Sequence, residues 1–220
     1  MARILLVLAA LLWGSRLQAA EMALDLLDAP VPYTADFMLS SAKGTFHGQV
    51  WHAKGRERRD VSTTGGGQGV LIRRDTNTAH LLGLSGRWHV ALSIPAAAAL
   101  AGGLDSWTTE RQKVREESVA GQRATRWKVQ AEGPRGGFDG DIWINRDGIV
   151  VKAAGTVSSA TGDDSEIQMS LSNLRVGSVD ARMLEIPQGW LGFDLSQVPA
   201  ERVEQAVNGL KPLLQMQGKR

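Results

Sequence analysis

Hydrophobic and polar positions alternate with a period of two along most of this chain, in short runs punctuated by turn residues. The clearest run places Phe138, Gly140, Ile142 and Ile144 against Asp139, Asp141, Trp143 and Asn145, which predicts a strand with one apolar face. Arg146-Asp147-Gly148 is a turn signal, because Asp-Gly tolerates the positive φ of a tight hairpin. Ile149, Val151, Ala153 and Val157 then carry a return strand. Ile167, Met169 and Leu171 carry the next, and the run closes on Ile186-Pro187-Gln188-Gly189-Trp190.

The same reading extends toward the N-terminus. After a helical or irregular lead-in over residues 22–27, Tyr33, Ala35, Phe37 and Leu39 mark a first strand, and Phe46, Gly48, Val50 and His52 mark a second. Lys54-Gly55 supplies a turn, and residues 56–62 form a charged strand expected near a sheet edge, where charge blunts unwanted pairing. Gly65-Gly66-Gly67 reads as a loop. Val70 and Ile72, residues 78–82, and Trp88, Val90 and Leu92 follow as strands around turns at Thr76-Asn77 and Ser85-Gly86. Strands resume over residues 107–119, turn at Ala120-Gly121 and return through Thr125, Trp127 and Val129. Spacing this regular, without long intervening helices, excludes a βαβ architecture.

Two segments depart from the period of two. Ser93 can cap a helix and Pro95 suits its first turn, so residues 94–100 predict a short Ala-rich helix stopped by Gly102-Gly103. Pro199 opens a last helix with Val203, Val207, Leu210 and Leu214 on one stripe, which Asn208-Gly209 and Pro212 are expected to fray or kink.

Residues 1–20 change the picture of where this happens. Arg3, an apolar run from Ile4 to Trp13 and small residues at Ala19-Ala20 read as a cleavable secretory leader, and the apolar run is too short to span a bilayer. The chain of 220 residues has no cysteine, which excludes disulfides, thiolate metal sites and lipid attachment at a cysteine. Of 25 Lys plus Arg and 23 Asp plus Glu, only Arg3 and Arg16 fall in the leader, so the mature chain is balanced in charge and a nucleic-acid surface is not expected. The expected product is a soluble, monomeric periplasmic domain held together by its core.

Catalytic chemistry finds little support. His47, His52, His80 and His89 form no metal-binding motif, and no metal or cofactor is expected. A Ser85-Gly86 turn sets His80 opposite Ala91 and His89 opposite Leu82, which reads as two polar strand positions. Ser85 lacks the strand-turn-helix context of a nucleophile elbow, and Gly65 to Gly67 lacks the following Lys-Ser/Thr of a phosphate loop. Asp139 and Asp141 share a strand face, and alternate charges are the usual mark of a solvated face. No residue is assigned a catalytic role.

Several stretches nevertheless carry a resemblance in their order: GQVWHAKGRERRDV, VLIRR, AHLLGL, GQRATRWKV, DIWINRDGIVVKAAG and LSNLRVGSVDARMLEIPQGW. Together they resemble the lipoprotein-carrier superfamily typified by LolA and LolB, over about residues 30–190. The resemblance implies a mainly β fold with flanking α: a curved, unclosed antiparallel half-barrel with short lid helices, here with a C-terminal helix added. It implies a domain over residues 21–197 and a helical extension over 198–220. It also implies a carrier for lipid, lipoprotein acyl chains or another amphiphile, held between concave sheet and lid. The family's basic gating residue falls on Lys54, although Gly55 stands where the family has proline and the long first helix is shortened.

In such a fold Phe37, Leu39, Phe46, Val50, Val70, Ile72, Trp88, Val90, Trp127, Ile142, Ile144 and Met169 would share the concave face, with Ile94, Leu100 and Leu104 on the lid. Periodicity alone leaves open whether that face lines a cavity or fills a dry core. Trp51 and Trp143 fall on the outer parity, under a second layer or at a partner surface. The alternative function is a ligand-free envelope interaction, scaffold or sensor module with a protein partner.

Overall fold

A computed structural model describes residues 21–62, 66–101, 103–159, 162 and 164–217, with side chains as far as residue 210. The predicted leader, Gly65, Gly102 and the side chain of Leu214 lie outside the described residues.

The chain runs β1 (Glu21–Met22), α1 (Ala23–Leu27), β2 (Tyr33–Ser41), β3 (Gly44–Ala53), β4 (Arg56–Val61), β5 (Gln68–Arg73), β6 (Thr78–Gly83), β7 (Trp88–Ser93) and α2 (Ile94–Leu100). It continues through β8 (Thr108–Val119), β9 (Gln122–Gly133), β10 (Gly136–Asn145), β11 (Val150–Ser159), β12 (Ser165–Val176), β13 (Leu191–Asp194) and α3 (Val203–Gln217). The described strands form one sheet in the order β1-β8-β9-β10-β11-β12-β2-β3-β4-β5-β6-β7-β13. Two hairpin meanders, β2–β7 and β8–β12, are joined where β12 pairs with β2, Leu171 opposite Phe37. The sheet is mainly antiparallel and does not close, so it is an unclosed half-barrel.

Turn chemistry sets the registers. Ala120 and Gly121 both have positive φ, at 50° and 78°, the combination that a two-residue hairpin loop requires. The β3–β4 turn at Lys54-Gly55 likewise puts His52 opposite Glu57 and Val50 opposite Arg59. Across the sheet, Trp127, Ile142, Ala153, Met169, Leu39 and Phe46 pair in succession, so they form one row on one face. A second row runs through Ala35, Val50, Arg59, Val70, Leu81 and Val90. Within these rows Trp127, Ile142, Met169, Leu39, Phe46, Val50, Val70 and Val90 share one face, as the alternation predicts, and Arg59 and Leu81 join them.

The structure corrects several expectations. β4 is not near an edge but lies between β3 and β5. Its charges satisfy one another there: Arg58 holds Asp60 at 2.8 Å and Arg59 holds Glu57 at 2.6 Å. The charged strand at the open side is β8, where only Thr108 and Thr109 are paired by β1, and charges and a bulge occupy the rest. In β11 a bulge opposite Trp143 and Ile144 shifts the parity, so Val150 and Ala153, rather than Ile149 and Val151, continue the concave row. A four-residue strand, β13, pairs parallel with β7 where only a terminator was expected. The last helix starts at Val203, after a turn at Pro199, and runs through Gly209 and Pro212.

The helices cover the concave side. Leu26 and Leu27 pack on the cluster of Val129, Ile142 and Val150, which Trp127 and Ile144 also flank, while Val203, Val207 and Leu210 of α3 pack with Trp88, Val90 and Ala96. On the convex side Trp143 is buried beneath Arg126, 5.5 Å from its ring centroid, and Lys152, at 4.5 Å, and its Nε1 donates to Glu117. Arg58 covers Trp51 in the same way, at 5.8 Å. Both outer tryptophans are therefore roofed by cations rather than bare.

Gly140 and Gly155 face each other beneath the Phe138 ring. A Cβ at Gly140 would lie 2.6 Å from that ring and would strike the Ala154 carbonyl. Gly140→Ala is therefore expected to destabilise the fold by about 1–3 kcal/mol, as overpacking does, in urea unfolding followed by tryptophan fluorescence. An unchanged midpoint would show that both the ring and the Ala154 carbonyl can give way.

Candidate functional site

Between the concave face and the helices lies a cavity of about 350 Å³. Val70, Ile72 and Ala79 come from β5 and β6, Leu24 and Leu27 from α1, and Ile94, Ala97 and Ala98 from α2, with Ala101 and Leu104 just beyond it. The roof exists because Ser93 Oγ accepts from Ala96 N at 3.2 Å, capping α2, and Gly103 N donates to Ala98 O at 2.7 Å to end it. Small alanines on α2 leave the space that larger side chains would fill.

One part of this wall is ionic. His52, 1% exposed, stacks on Tyr33 at 4.9 Å between centroids. Its Nε2 faces the Ala29 carbonyl at 2.9 Å and its Nδ1 faces Glu57 Oε2 at 3.1 Å. Glu57 Oε1 accepts from Arg59 Nε at 2.6 Å, so one carboxylate bridges two cationic groups. Burial opposes protonation of His52, but Glu57, the Ala29 carbonyl and Asp28 outweigh it and raise its pKa. Burial likewise opposes ionisation of Glu57, and Arg59 and His52 overcome it, holding the carboxyl down at about 2. With acceptors on both ring nitrogens, the form of His52 that satisfies both contacts is the imidazolium, which has no lone pair for base catalysis.

The first helix is tied to this wall by Arg74. Its guanidinium donates to the Leu24 carbonyl at 2.5 Å and lies 3.4 Å from Asp25 and 3.7 Å from Asp28. Asp28 also accepts from Gly55 N at 2.9 Å. Lys54, in contrast, is exposed at the turn and lines no part of the cavity.

Of the residues predicted to line a site, Val70, Ile72, Ile94 and Leu104 meet at the cavity. Phe37 and Val50 lie in the dry core, with Leu39 and Met169 packed against it. Trp127, Ile142 and Ile144 lie beneath α1, and Trp88 and Val90 beneath α3. Phe46 is half-buried at the far end of β3, and Leu100, 39% exposed, lines no part of the cavity. Sequence reasoning missed His52, Glu57 and Arg59. The signal was present, because the Lys54-Gly55 turn sets Arg59 opposite Val50 and therefore inside.

Elsewhere, His80 and His89 are not merely two polar strand positions. Their registers are as expected, opposite Ala91 and Leu82, yet as diagonal neighbours their Nδ1 atoms lie 3.3 Å apart. Burial, then the facing His89, lowers the pKa of His80 to about 4. Asp139 and Asp141 are paired across strands with Lys128 and Arg126. Among the described residues no group of three or more His, Cys, Asp or Glu could hold a metal ion, and no helix is long and apolar enough to cross a membrane.

No protein-family model matches the chain, and no curated protein does. Solved structures do. The crystal structure of MucB matches with a TM-score of 0.50 at 18% identity, covering 78% of this chain and 64% of that one. An uncharacterised conserved protein from Thermus thermophilus matches with a TM-score of 0.51 at 11% identity, covering 78% of this chain and 96% of that one. The chain has a divergent LolA-like fold. A LolA superfamily protein from Nitrosomonas europaea also overlaps it, at a TM-score of 0.37 and 12% identity, over 76% of this chain and 98% of that one. The chain spans less than two thirds of the length of MucB, 64%. MucB is also solved in complex with MucA(peri).

Proposed function

We propose that this LolA-like chain is a periplasmic binding protein or carrier for a small amphiphile, held between the concave sheet and α2. The observation that carries this reading is the unfilled apolar space itself, walled by Val70, Ile72, Ile94, Ala97 and Leu104. At about 350 Å³ it sits at the lower end of ligand pockets, which run from about 300 to 1,000 Å³. That size suits one acyl chain better than the several chains of a lipoprotein anchor. The leader-like first residues support the envelope location. Lys54, exposed beside the turn, would act in gating only by meeting a partner from outside.

The test fills the cavity without adding charge. Ala98→Phe places a ring in the space under α2, and a fluorescent fatty-acid probe should bind at least about tenfold more weakly while far-ultraviolet circular dichroism is retained. Wild-type protein that binds no probe would defeat the carrier reading. A ligand-free envelope module with a protein partner would then take its place, as MucB takes MucA(peri).

A further inference from the structure

Resting on that reading, we infer that the ligand is a single-chain amphiphile with a compact anionic head, and that the Arg59 guanidinium inside the cavity is its receptor. Arg59 belongs to an interior strand and sits on the concave face between Val50 and Val70. Its side chain is nevertheless 31% exposed, and it lines the cavity, so that exposure is to the cavity. An arginine in an apolar wall is costly unless its donors meet acceptors.

Only part of that need is met internally. Glu57 accepts from Nε, and its other oxygen is taken by His52. Among the described residues no hydrogen bond fills the terminal nitrogens of Arg59, the edge of the guanidinium that grips a carboxylate or phosphate with two parallel bonds. Phe37 lies 6.0 Å from the guanidinium carbon and backs it.

The charge of the wall points the same way. Arg56, Arg59, Arg74 and His52 line it against Asp28 and Glu57. Arg56 is engaged by Asp75 and Glu185, and Arg74 by Asp25 and Asp28. Arg59 meets Glu57 through Nε alone, so among the described residues it is the lining arginine whose terminal nitrogens are open to a ligand, with Val70, Ile72 and Leu104 around it for the chain.

The experiment titrates delipidated protein by calorimetry with dodecanoate, dodecyl phosphate and dodecanol, which share a chain and differ in the head. At least one anionic ligand should bind about tenfold or more tightly than dodecanol. A preference for dodecanoate indicates a free fatty acid, and one for dodecyl phosphate a phospholipid-derived head. Arg59→Gln should bring the acid-to-alcohol ratio close to one with dodecanol affinity unchanged, and Arg56→Gln should leave the ratio intact. Equal affinity for all three ligands in the wild type overturns the inference and leaves the carrier reading standing, and that comparison needs no variant to fold. A ratio that collapses in Arg56→Gln but not in Arg59→Gln also overturns it. Absence of binding by all three defeats the carrier reading itself.

Discussion

Glu57→Ala should lower the free energy of unfolding by about 3–5 kcal/mol, the cost of leaving buried partners without their counter-charge. Glu57 is 13% exposed and bridges His52 and Arg59, so its removal strands two cationic groups at once. The same cluster sets a pH profile. The pKa of His52 is raised on folding, so its contribution is complete below the ordinary imidazole value and fades as pH rises through the raised one. Glu57 falls from 4.5 to about 2, so its contribution is complete above 4.5 and is lost as pH falls toward 2. Stability from this network should therefore be greatest between about pH 4.5 and 6.5. Urea midpoints measured across pH 3 to 9 test both halves. The alkaline decline should disappear in His52→Gln, and a Glu57→Ala loss below about 1 kcal/mol would show that water, not protein, solvates these groups.

Val203→Asp should detach α3. Val203 is 1% exposed against Val90, Leu92 and Ala96, and its burial is worth about 1.5–3 kcal/mol before the cost of a buried carboxylate is added. Because Ala96 of α2 is part of that cluster, α3 braces the cavity roof from behind. Hydrogen exchange should quicken in α2 as well as α3 while β9 to β12 stay protected. Exchange that quickens in α3 alone would make the roof independent of its brace. With that brace, α2 is held on one side and faces open space on the other.

Much of the architecture was legible because strands with one buried face advertise themselves through a period of two, and Gly55, Gly121 and Gly148 mark their turns. The resemblance in the order of those strands pointed to the LolA-like fold. What was not legible has physical causes. In β4 charge occupies both parities, so buried ion pairs look like a solvated edge. β13 is four residues long and pairs in parallel, which no local turn signals. The bulge at Val151 exchanges inside for outside within one strand. Alternation indicates which residues share a face, but whether that face is packed or empty depends on which helix lies over it: α1 fills the space above Ile142, and the alanines of α2 leave it open above Ile72.

The seam between β12 and β2 has a consequence for the order of folding. Each meander can assemble from neighbouring hairpins, whose loops are short and close quickly. Phe37 meets Leu171 only across most of the chain, so the first strand of one meander waits for the last strand of the other. On that side β2 remains unpaired until the chain from Ile167 onward is available to it. The seam is therefore expected to close late, and the interval before it closes is when an unpaired β2 edge is most open to aggregation or to a chaperone.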